Sequence, residues 1–567
     1  MFVTQSIKIM EHPNITMLLL FLTCLFPAQS QAQNMKVLVH MGLGTNSHIK
    51  PLLELGSVLR ERNHNVIYVA FDSAKKYNKP YKFPFISLGN SSDVIWDDRK
   101  SLKEQFMKRE TLDPAKEVPK TFGKIMPKAY DATYPSLAAV LDEENPDVVL
   151  CDFFSAACRD VVSMKGIPLV TGFQTTDMSE IADAPFVTTT MKYGSVTTED
   201  LNFIQRFQTK LVESALRHMR FVSVTKEMNK VRAKYGVPPT SAPFGDFSNS
   251  LGLASTFVGF EAALPFPPHI KMIGPIRSDF HDPLSPELVN FLESHPRTLY
   301  IAFGSAVILA DFDVENIVVA SLTALESKHI DGILWGLGQT LPDDFPDEFN
   351  INNTTITRNQ LFSNEHPHVR LLPWAPQTAI LEHKHTRLFI SHGGLESSFE
   401  AILSGTPILC MPFLGDQPRN ARKLEDAGVG KYVNRATSTP SSLSKDIQTM
   451  MDDANGEISV NVQRMQTIAT VGSRRKASGA DAIEEYVETA RVCRPISPHN
   501  YGETPCELKH LTSASRNMNF IAANLIDVYI AAILLALAAL FAVGYISFWL
   551  ISRFSHLVQK DLTKKNI

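Results

Sequence analysis

The chain has 567 residues, of which 44% are hydrophobic and 20% charged, and its formal net charge is −4. This is the composition of a globular protein of roughly two to four domains, and it excludes collagen-like chains, low-complexity chains and polytopic transporters. The mild acidity argues against a nucleic-acid binder, which normally carries a basic excess. Six cysteines are too few for a scaffold built on disulfides. The mean hydropathy of −0.05 hides apolar residues that concentrate at the two ends.

The N-terminus has the pattern of a secretory signal peptide over residues 1–32. An apolar run, Met17–Phe26, is too short to span a bilayer, and the small residues Ser30 and Ala32 fit a cleavage site before Gln33. The alternative is a buried first strand or helix. We favour the signal peptide because the next segment already has the pattern of a first strand.

Alternating strands and helices follow. An apolar run at helical spacing predicts a helix over Ile49–Arg62, and residues 178–235 are mostly helical in pattern. Strands of the first half are predicted at Lys36–His40, Asn65–Ala70, Pro146–Cys151 and Ile167–Thr171. This βαβ order predicts a parallel sheet with helices on both faces.

A proline-rich stretch, Leu264–Pro286, predicts an interdomain linker, and a second α/β series begins after it. A helix is predicted near Val314–Glu326. Strands of this half are predicted at Thr298–Phe303, Gly332–Gly336, Val369–Leu372, Arg387–Ser391 and Ile408–Met411. Because ligands of such domains bind at the carboxyl ends of the strands, we expect a cleft between two α/β domains.

The C-terminal part contains 24 consecutive uncharged residues, Val528–Ile551. As a helix this segment is about 36 Å long, enough to cross a hydrocarbon core of about 30 Å, and we prefer a transmembrane helix to a buried core helix. Arg553 and Lys560 follow it, which favours a cytosolic tail and a type I protein with residues 33 to about 527 on the lumenal side. Lys564 and Lys565 resemble a dilysine retrieval signal of endoplasmic reticulum membrane proteins, although a lysine-rich tail can match by chance.

Sequons begin at Asn90, Asn352 and Asn353, so glycosylation there is permitted but not implied. Cys24 would leave with the signal peptide. The cysteines that remain are odd in number, so not all can pair, and they lack zinc-site spacing: Cys151, Cys158, Cys410, Cys493 and Cys506.

The segment with most chemistry runs from Trp374 to Gln417. A strand there leads into His392-Gly393-Gly394 and then a helix, where glycines allow close approach and the helix start offers unpaired N–H groups to a phosphate. Glu400, just inside this helix, could accept from ribose hydroxyls, and Asp416-Gln417 could bind sugar hydroxyls. A Gly-Gly turn before a helix is, on its own, more often structural.

This segment resembles the signature of the UDP-glycosyltransferase family, which includes the animal UDP-glucuronosyltransferases. It has that signature's 44 residues, with W-x-P-Q, H-G-G, S-x-x-E and D-Q in register. The signal peptide, the membrane span and the dilysine end also resemble the animal membrane members. The resemblance therefore covers nearly the whole chain.

The resemblance implies an α/β protein with two facing Rossmann-like domains of GT-B type and a single C-terminal transmembrane helix. Helices around Ala482–Arg491 would pack back toward the N-terminal domain. The expected segments are a signal peptide (1–32), an N-terminal acceptor-binding domain (33–270), a linker (271–290), a C-terminal UDP-sugar-binding domain (291–480), closing helices and a juxtamembrane segment (481–527), the transmembrane helix (528–551) and the cytosolic tail (552–567).

Donor-binding roles are implied by the same resemblance. They are uracil stacking for Trp374, proximity to uridine for Gln377, diphosphate contact for His392, Gly394 and Ser397, ribose binding for Glu400, sugar binding for Asp416 and Gln417, and a second phosphate-side loop at Ser305. One departure is Glu396, where many members have a small or amide residue. A carboxylate there would repel a diphosphate, so we expect Glu396 to point to solvent, the alternative being weakened donor binding.

The family's catalytic pair maps to His48, in the loop after the first strand, and Asp152, at the end of a later strand. Both lie at the carboxyl edge of the predicted sheet. A neutral imidazole can take the acceptor's proton, and an aspartate can orient the ring and stabilise its charge. We expect the helix start to keep His48 neutral, and we expect a single inverting displacement that releases UDP.

Two other motifs carry less weight. Asp311-Phe312-Asp313 resembles the D-x-D metal site of other glycosyltransferases, but it stands where a helix should start, which favours capping. His366, His368, His383 and His385 form two H-x-H pairs for which zinc is conceivable but not favoured. We expect no metal or other cofactor, with the UDP-sugar as co-substrate.

The sequence thus predicts an inverting UDP-sugar-dependent hexosyltransferase of the endoplasmic reticulum membrane. It would move glucuronate or glucose to a hydroxyl of a small lipophilic acceptor that partitions into the lipid bilayer. Arg419 is a candidate partner for a glucuronate carboxylate, although a surface charge is the simpler role, and homo-oligomerisation stays open. The alternative is a non-catalytic UDP-sugar- or lipophile-binding protein of the same fold.

Overall fold

The computed structural model describes residues 33–42, 46–90, 114–176, 186–187, 197–245, 247–305, 307–351 and 354–565. The predicted signal peptide and the sequons at Asn352 and Asn353 lie outside these residues. The chain divides into two compact units, Met1–Lys509 and His510–Ile567.

The first sheet of the larger unit is wholly parallel, in the order β3-β2-β1-β4-β5-β6-β7. Its strands are β1 Lys36–His40, β2 Asn65–Ala70, β3 Phe85–Ser87, β4 Val148–Asp152, β5 Leu169–Phe173, β6 Leu251–Ala254 and β7 Ile270–Met272. The central strands are apolar and buried almost throughout, as in parallel sheets covered on both faces. The strand order reverses between β1 and β4, which opens a crevice at their carboxyl ends.

The helices of this part follow the predicted alternation. They are α1 Asn46–Glu61, α2 Pro114–Glu144, α3 Ala156–Met164, α4 Phe203–Phe207 and α5 Ser214–Lys234. Helices α2, α3 and α5 cover one face of the sheet around a core that includes Leu38, Val149 and Met228. Within the region predicted to be helical, residues 177–185 and 188–196 lie outside the described residues.

The second sheet is also parallel, in the order β12-β9-β8-β13-β14-β15. Its strands are β8 Thr298–Ala302, β9 Gly332–Gly336, β12 Val369–Leu372, β13 Thr386–Ser391, β14 Ile408–Cys410 and β15 Gly430–Tyr432, and β10 Glu348–Ile351 pairs with β11 Thr354–Thr357 in a separate hairpin. Two apolar clusters cover its faces. Here the order reverses between β8 and β13.

The helices of the second half connect and cover these strands. They are α6 Pro286–Ser294, α7 Asp311–Glu326, α8 Arg358–Phe362, α9 Gln377–Leu381, α10 Leu395–Ser404, α11 Gln417–Asp426, α12 Pro440–Asp452, α13 Glu457–Ser473 and α14 Lys476–Cys493. The predicted linker is only partly a linker. Its residues Ile270–Met272 form β7, so the first sheet extends past the boundary expected at residue 270.

The two sheets are joined by side-chain contacts. Helix α14 packs so closely on α1 that a Cβ atom added at Gly479 would lie 2.8 Å from the Leu55 side chain. The hydroxyl of Tyr486, also on α14, accepts a hydrogen bond from the Leu169 N–H of β5 at 3.4 Å. Lys423 Nζ on α11 lies 2.5 Å from Glu261 Oε2, and both side chains are buried. The closing helix therefore packs back on the first half, as the resemblance implies.

Asp313, in the D-x-D triplet, is part of the protein's interior. Its Oδ2 accepts the Ala310 N–H at 3.1 Å, which caps the start of α7. Its two oxygens also accept from Arg435 Nε and Nη2 at 2.8 and 2.7 Å, and both side chains are only 1% exposed. The triplet thus serves a helix start and a buried ion pair.

Among the described cysteines, Cys151 pairs with Cys158 and Cys493 pairs with Cys506 in disulfides, and Cys410 is free and buried. One cysteine is therefore left unpaired, in agreement with the odd number that remains after signal removal.

The α-helices described in the second unit are α15 Phe520–Ala523 and α16 Ile526–Lys565. Within α16, Ile526–Leu557 is long and apolar enough to cross a membrane. The apolar helix thus begins two residues before the span expected from the sequence and continues beyond it, and Asn566-Ile567 of the dilysine end lie outside the described residues.

Candidate active site

The catalytic pair expected from the sequence comes together at the crevice of the first sheet. His48 Nδ1 lies 3.0 Å from Asp152 Oδ2 although the residues are 104 positions apart. Asp152 ends β4, whereas His48 lies in the first turn of α1 and not in the preceding loop, whose residues 43–45 lie outside the described residues. The adjacent strands β1 and β4 bring the two side chains to the same edge of the sheet.

The Asp152 carboxylate is held by further donors. Its Oδ1 accepts from the Phe154 N–H at 3.0 Å, and its Oδ2 accepts from Gln174 Nε2 at 3.1 Å. Gln174 Nε2 also donates to the His48 carbonyl at 3.3 Å, so one amide contacts both members of the pair. Gln174 follows β5, and its contact with the pair could not be predicted because a lone glutamine after a strand carries no motif.

The His48 ring packs beside two phenylalanines, and the charges of several carboxylates act on it. The ring centroids of Phe154 and His48 are 4.8 Å apart. Burial lowers the pKa of His48, but Asp152, Asp416 and Glu396 together outweigh burial and raise that pKa above its usual value. The net shift is therefore opposite in direction to the lowering that we expected from the helix start.

We expect kcat/KM for transfer to fall as the pH drops through the raised pKa of His48, because only the unprotonated imidazole can accept a proton. In Asp152→Asn the nearest charge that raises this pKa is gone. The acid limb of the residual activity should therefore move to lower pH, with a lower plateau. A kcat/KM–pH profile of both proteins measures this, and an acid limb at the same pH in both would contradict the assignment of that limb to His48.

The crevice of the second sheet lies at β8 and β13. His392 follows β13, and its ring packs between Gly304 and Gly394. A Cβ atom added at Gly304 would lie 2.8 Å from the His392 ring, and one added at Gly394 would lie 2.3 Å from it. Neither position therefore has room for a side chain. Burial lowers the pKa of His392 to about 4, which leaves the imidazole uncharged at neutral pH. Ser305, after Gly304, is exposed.

Helix α10 starts at this crevice and carries two of the expected donor residues. Gln377 Nε2 donates to Ser397 Oγ at 3.0 Å and to Glu400 Oε2 at 2.5 Å. Thr378 Oγ1 donates to Glu400 Oε1 at 2.6 Å. Burial, with the nearby Glu396, raises the pKa of Glu400, whereas Lys50 and these hydrogen bonds act in the opposite direction. The structure therefore brings Gln377, Ser397 and Glu400 into one hydrogen-bonded group.

Asp416 and Gln417 begin α11. The Asp416 side chain is exposed, and its Oδ2 accepts from Asn420 Nδ2 at 2.7 Å. Gln417 is buried, and its Oε1 accepts from the backbone N–H groups of Phe413 and Leu414 at 2.8 and 3.0 Å. Because Asp416 also influences the pKa of His48, the start of α11 belongs to the same electrostatic environment as the catalytic pair.

Trp374 lies in the loop before α9 and is 69% exposed. A tryptophan with an open face is available for a planar ligand, which is the role that the resemblance implies.

The expected orientation of Glu396 is wrong. Its side chain does not point to open solvent but into the cleft, where its Oε1 lies 2.6 Å from Lys50 Nζ on α1. This ion pair joins α1, which carries His48, to α10, which begins three residues after His392. The sequence alone could not indicate the pair, because the two residues are 346 positions apart.

The histidine pairs contact different elements. His368 Nδ1 lies 3.0 Å from the Asp331 carbonyl, and His383 Nε2 lies 3.3 Å from Glu293 Oε1. His385 joins Glu293 and His383 in a group with metal-ligand spacing, and within the part of the chain that the structure describes no such group combines the two pairs.

Comparison with known proteins gives a consistent result. A family model described as UDP-glucoronosyl and UDP-glucosyl transferase matches residues 58–469, a range that includes Asp152 and the donor residues but begins after His48. A UDP-glycosyltransferase of Talaromyces amestolkiae is 28% identical over 541 residues, which cover 91% of this chain and 98% of the relative. UDP-glucuronosyltransferase 2A1 of Mus musculus is 25% identical over 325 residues, covering 56% of this chain and 57% of the relative.

Among solved structures, the calicheamicin glycosyltransferase CalG4 matches with a TM-score of 0.53 at 17% identity, covering 81% of this chain and all of that one (100%). At this identity the likeness concerns the fold alone. It confirms the expected GT-B arrangement of two parallel α/β sheets.

Proposed function

Because the chain belongs to the family of UDP-glucuronosyl and UDP-glucosyl transferases, we propose that it moves glucuronate or glucose from a UDP-sugar to a hydroxyl of a small lipophilic acceptor. The observation that carries this proposal is the His48–Asp152 pair, at 3.0 Å, in a cleft bordered by the start of α10. A catalytic base and an anion-binding helix start are what such a transfer requires.

In the proposed reaction His48 Nε2 takes the proton of the acceptor hydroxyl while its Nδ1–H donates to Asp152. The acceptor oxygen forms a bond to the anomeric carbon, and the bond from that carbon to the diphosphate oxygen breaks. The bonding electrons leave with UDP, and the configuration inverts. Asp152 stabilises the imidazolium that forms, and Gln174 holds the carboxylate in place.

The proposed donor site uses the N–H groups at the start of α10 and the uncharged His392 for the diphosphate, Glu400 for the ribose, and Asp416 with Gln417 for the sugar. We propose that these groups bind the donor without a resident metal. Transfer that is unchanged after chelation by EDTA and is not stimulated by Mg²⁺ or Mn²⁺ supports this part of the proposal, and activity restored only by a metal contradicts it.

Trp374→Ala should raise KM for the UDP-sugar about tenfold or more, because base–aromatic stacking contributes about 1–3 kcal/mol per base. Since the side chain is 69% exposed, the free energy of unfolding should hardly change. Initial-rate kinetics at varied donor concentration measure this KM. Trp374→Phe is the conservative control, because it keeps an aromatic ring and should keep most of the affinity for the donor. An unchanged KM would place the uracil elsewhere.

The identity of the sugar is best tested by competition. The full-length protein is incubated with equal UDP-glucose and UDP-glucuronate and a panel of phenols and steroids, and the products are identified by mass spectrometry. A glucoside or a glucuronide as the main product supports the proposal and names the donor. UDP-sugars consumed without any glycosylated acceptor would contradict it.

We also propose that α16 anchors the protein in the endoplasmic reticulum membrane with the catalytic part in the lumen. An apolar segment, Ile526–Leu557, and two disulfides in the larger unit support this, because disulfides persist in oxidising compartments. An anchor also suits lipophilic acceptors, which concentrate in the bilayer. Protection of the catalytic part from protease added to intact microsomes tests the orientation.

The alternative of a non-catalytic binding protein loses its main support. Its sequence basis is Glu396, a carboxylate next to the expected diphosphate site. In the structure Lys50 pairs with Glu396, so the negative charge is offset, and the catalytic pair is intact.

A further inference from the structure

Lys50 brings a positive charge from the first sheet to the anion-binding end of the second. It lies on α1, two residues after His48, and its side chain is 20% exposed. Its Nζ is 2.6 Å from Glu396 Oε1 and 3.9 Å from Glu400 Oε1. The ammonium therefore lies over the first turn of α10, within the cleft that the proposed donor occupies.

The charged groups that act on Lys50 and on the neighbouring His48 are carboxylates. Asp152, Asp416 and Glu396 all act on His48, and Glu396 and Glu400 act on Lys50. A diphosphate brings about two further negative charges into this environment, and at short range like charges in a cleft repel each other by several kcal/mol at the effective dielectric of a protein surface. The donor therefore needs a cation that it can reach.

Glu396 occupies the place where an anion is expected. It is the second residue of α10, where the helix dipole and unpaired N–H groups favour negative charge. In the structure its carboxylate supplies that charge and Lys50 neutralises it. A diphosphate at the same helix start would compete with Glu396 for Lys50.

We infer that Lys50 is a diphosphate-binding residue, whose ammonium exchanges the Glu396 carboxylate for a phosphate oxygen when the UDP-sugar binds. This inference rests on the proposed function. In the transfer step, the bond from the anomeric carbon to the diphosphate breaks and its electron pair stays on the β-phosphate oxygen. Lys50 stabilises the charge that develops there, while the proton of the acceptor goes to His48 across the same turn of α1.

The chemistry of the side chain suits this role. Lysine is a compact charge with three donors on a flexible stem, so it can turn from one oxygen to another without a fixed geometry. Burial lowers the pKa of Lys50, but Glu396 and Glu400 outweigh burial and raise the pKa above its usual value, so the group stays charged at neutral pH.

The test compares uridine, UMP and UDP as ligands of the full-length protein by titration calorimetry. Lys50→Met should weaken UDP binding about 10–100-fold, as expected for the loss of a charge-assisted hydrogen bond, and change uridine binding less than about twofold. Lys50→Arg should restore most of the UDP affinity. Lys79→Met, which removes an exposed lysine elsewhere, is the matched control and should bind all three ligands like the wild type.

Glu396→Gln provides the opposite change. It removes the competing carboxylate, so UDP should bind several-fold more tightly while the affinity for uridine is unaffected. When Glu396→Gln is combined with Lys50→Met, this gain in UDP affinity should be smaller. Equal losses for UDP and uridine in Lys50→Met, or no loss for either, would overturn the inference. A wild-type protein that binds none of the three ligands would contradict the proposed UDP-sugar function itself.

Discussion

Replacing His48 by alanine should reduce the rate of acceptor-dependent UDP release by about 10²–10⁴-fold, the usual contribution of a positioned general base. The reason is that His48, fixed by its 3.0 Å contact with Asp152, is placed to take the proton of the acceptor hydroxyl. Without it the neutral hydroxyl must attack the anomeric carbon unaided. UDP binding should hardly change, because the diphosphate site is built mainly from the second sheet.

The matched control for this variant is His218→Ala, which removes an exposed histidine on α5 and should leave the rate unchanged. Initial rates of UDP release, with calorimetric UDP binding on the same samples, separate loss of chemistry from loss of folding. Transfer in His48→Ala at more than about a tenth of the wild-type rate would remove His48 from the catalytic role.

Replacing Asp313 by alanine should lower the free energy of unfolding by about 3–5 kcal/mol, the usual effect of breaking a buried ion pair. The Arg435 guanidinium, which makes two hydrogen bonds to Asp313 and lies over the Phe312 and Phe413 rings at 4.9 and 4.6 Å, would remain buried without its counter-charge. The helix cap at Ala310 would also be lost. Denaturant unfolding of the wild-type and variant proteins measures the change.

Asp311→Ala is the control, since Asp311 belongs to the same triplet but is exposed. It should change the free energy of unfolding by less than about 1 kcal/mol, as most surface substitutions do. The double variant Asp313→Leu with Arg435→Met should recover much of the loss, because it removes both charges. If Asp311→Ala and Asp313→Ala instead reduced a metal-dependent activity equally and left the free energy of unfolding unchanged, the triplet would be a metal site.

Local sequence patterns predict the central strands well. The bounds of β1, β2, β9 and β12 agree with the predicted strands, because each is a short apolar run bounded by polar or turn-forming residues. Strands β6 and β7 were missed. The first is a four-residue run containing glycine, and the second lies within a proline-rich stretch, so neither shows a clear period, and only pairing along the sheet edge defines them.

The group formed by Gln377, Ser397 and Glu400 could be located from the sequence because these residues belong to one contiguous motif. The parts of the site that depend on distant residues could not. Gln174 reaches the catalytic pair from β5, and Lys50 meets Glu396 across 346 positions. The rise in the pKa of His48 could not be predicted for the same reason, since Asp152, Asp416 and Glu396 are distant in sequence and together outweigh the effect of burial.

The central claim is a single inverting displacement in the cleft between the two sheets. Its most direct test is the anomeric configuration of the product, read by nuclear magnetic resonance after the wild-type protein has used an α-linked UDP-sugar. We expect a β-linked glycoside on the acceptor oxygen, with one UDP released per product. An α-linked product, or UDP released with no glycoside formed, would contradict it.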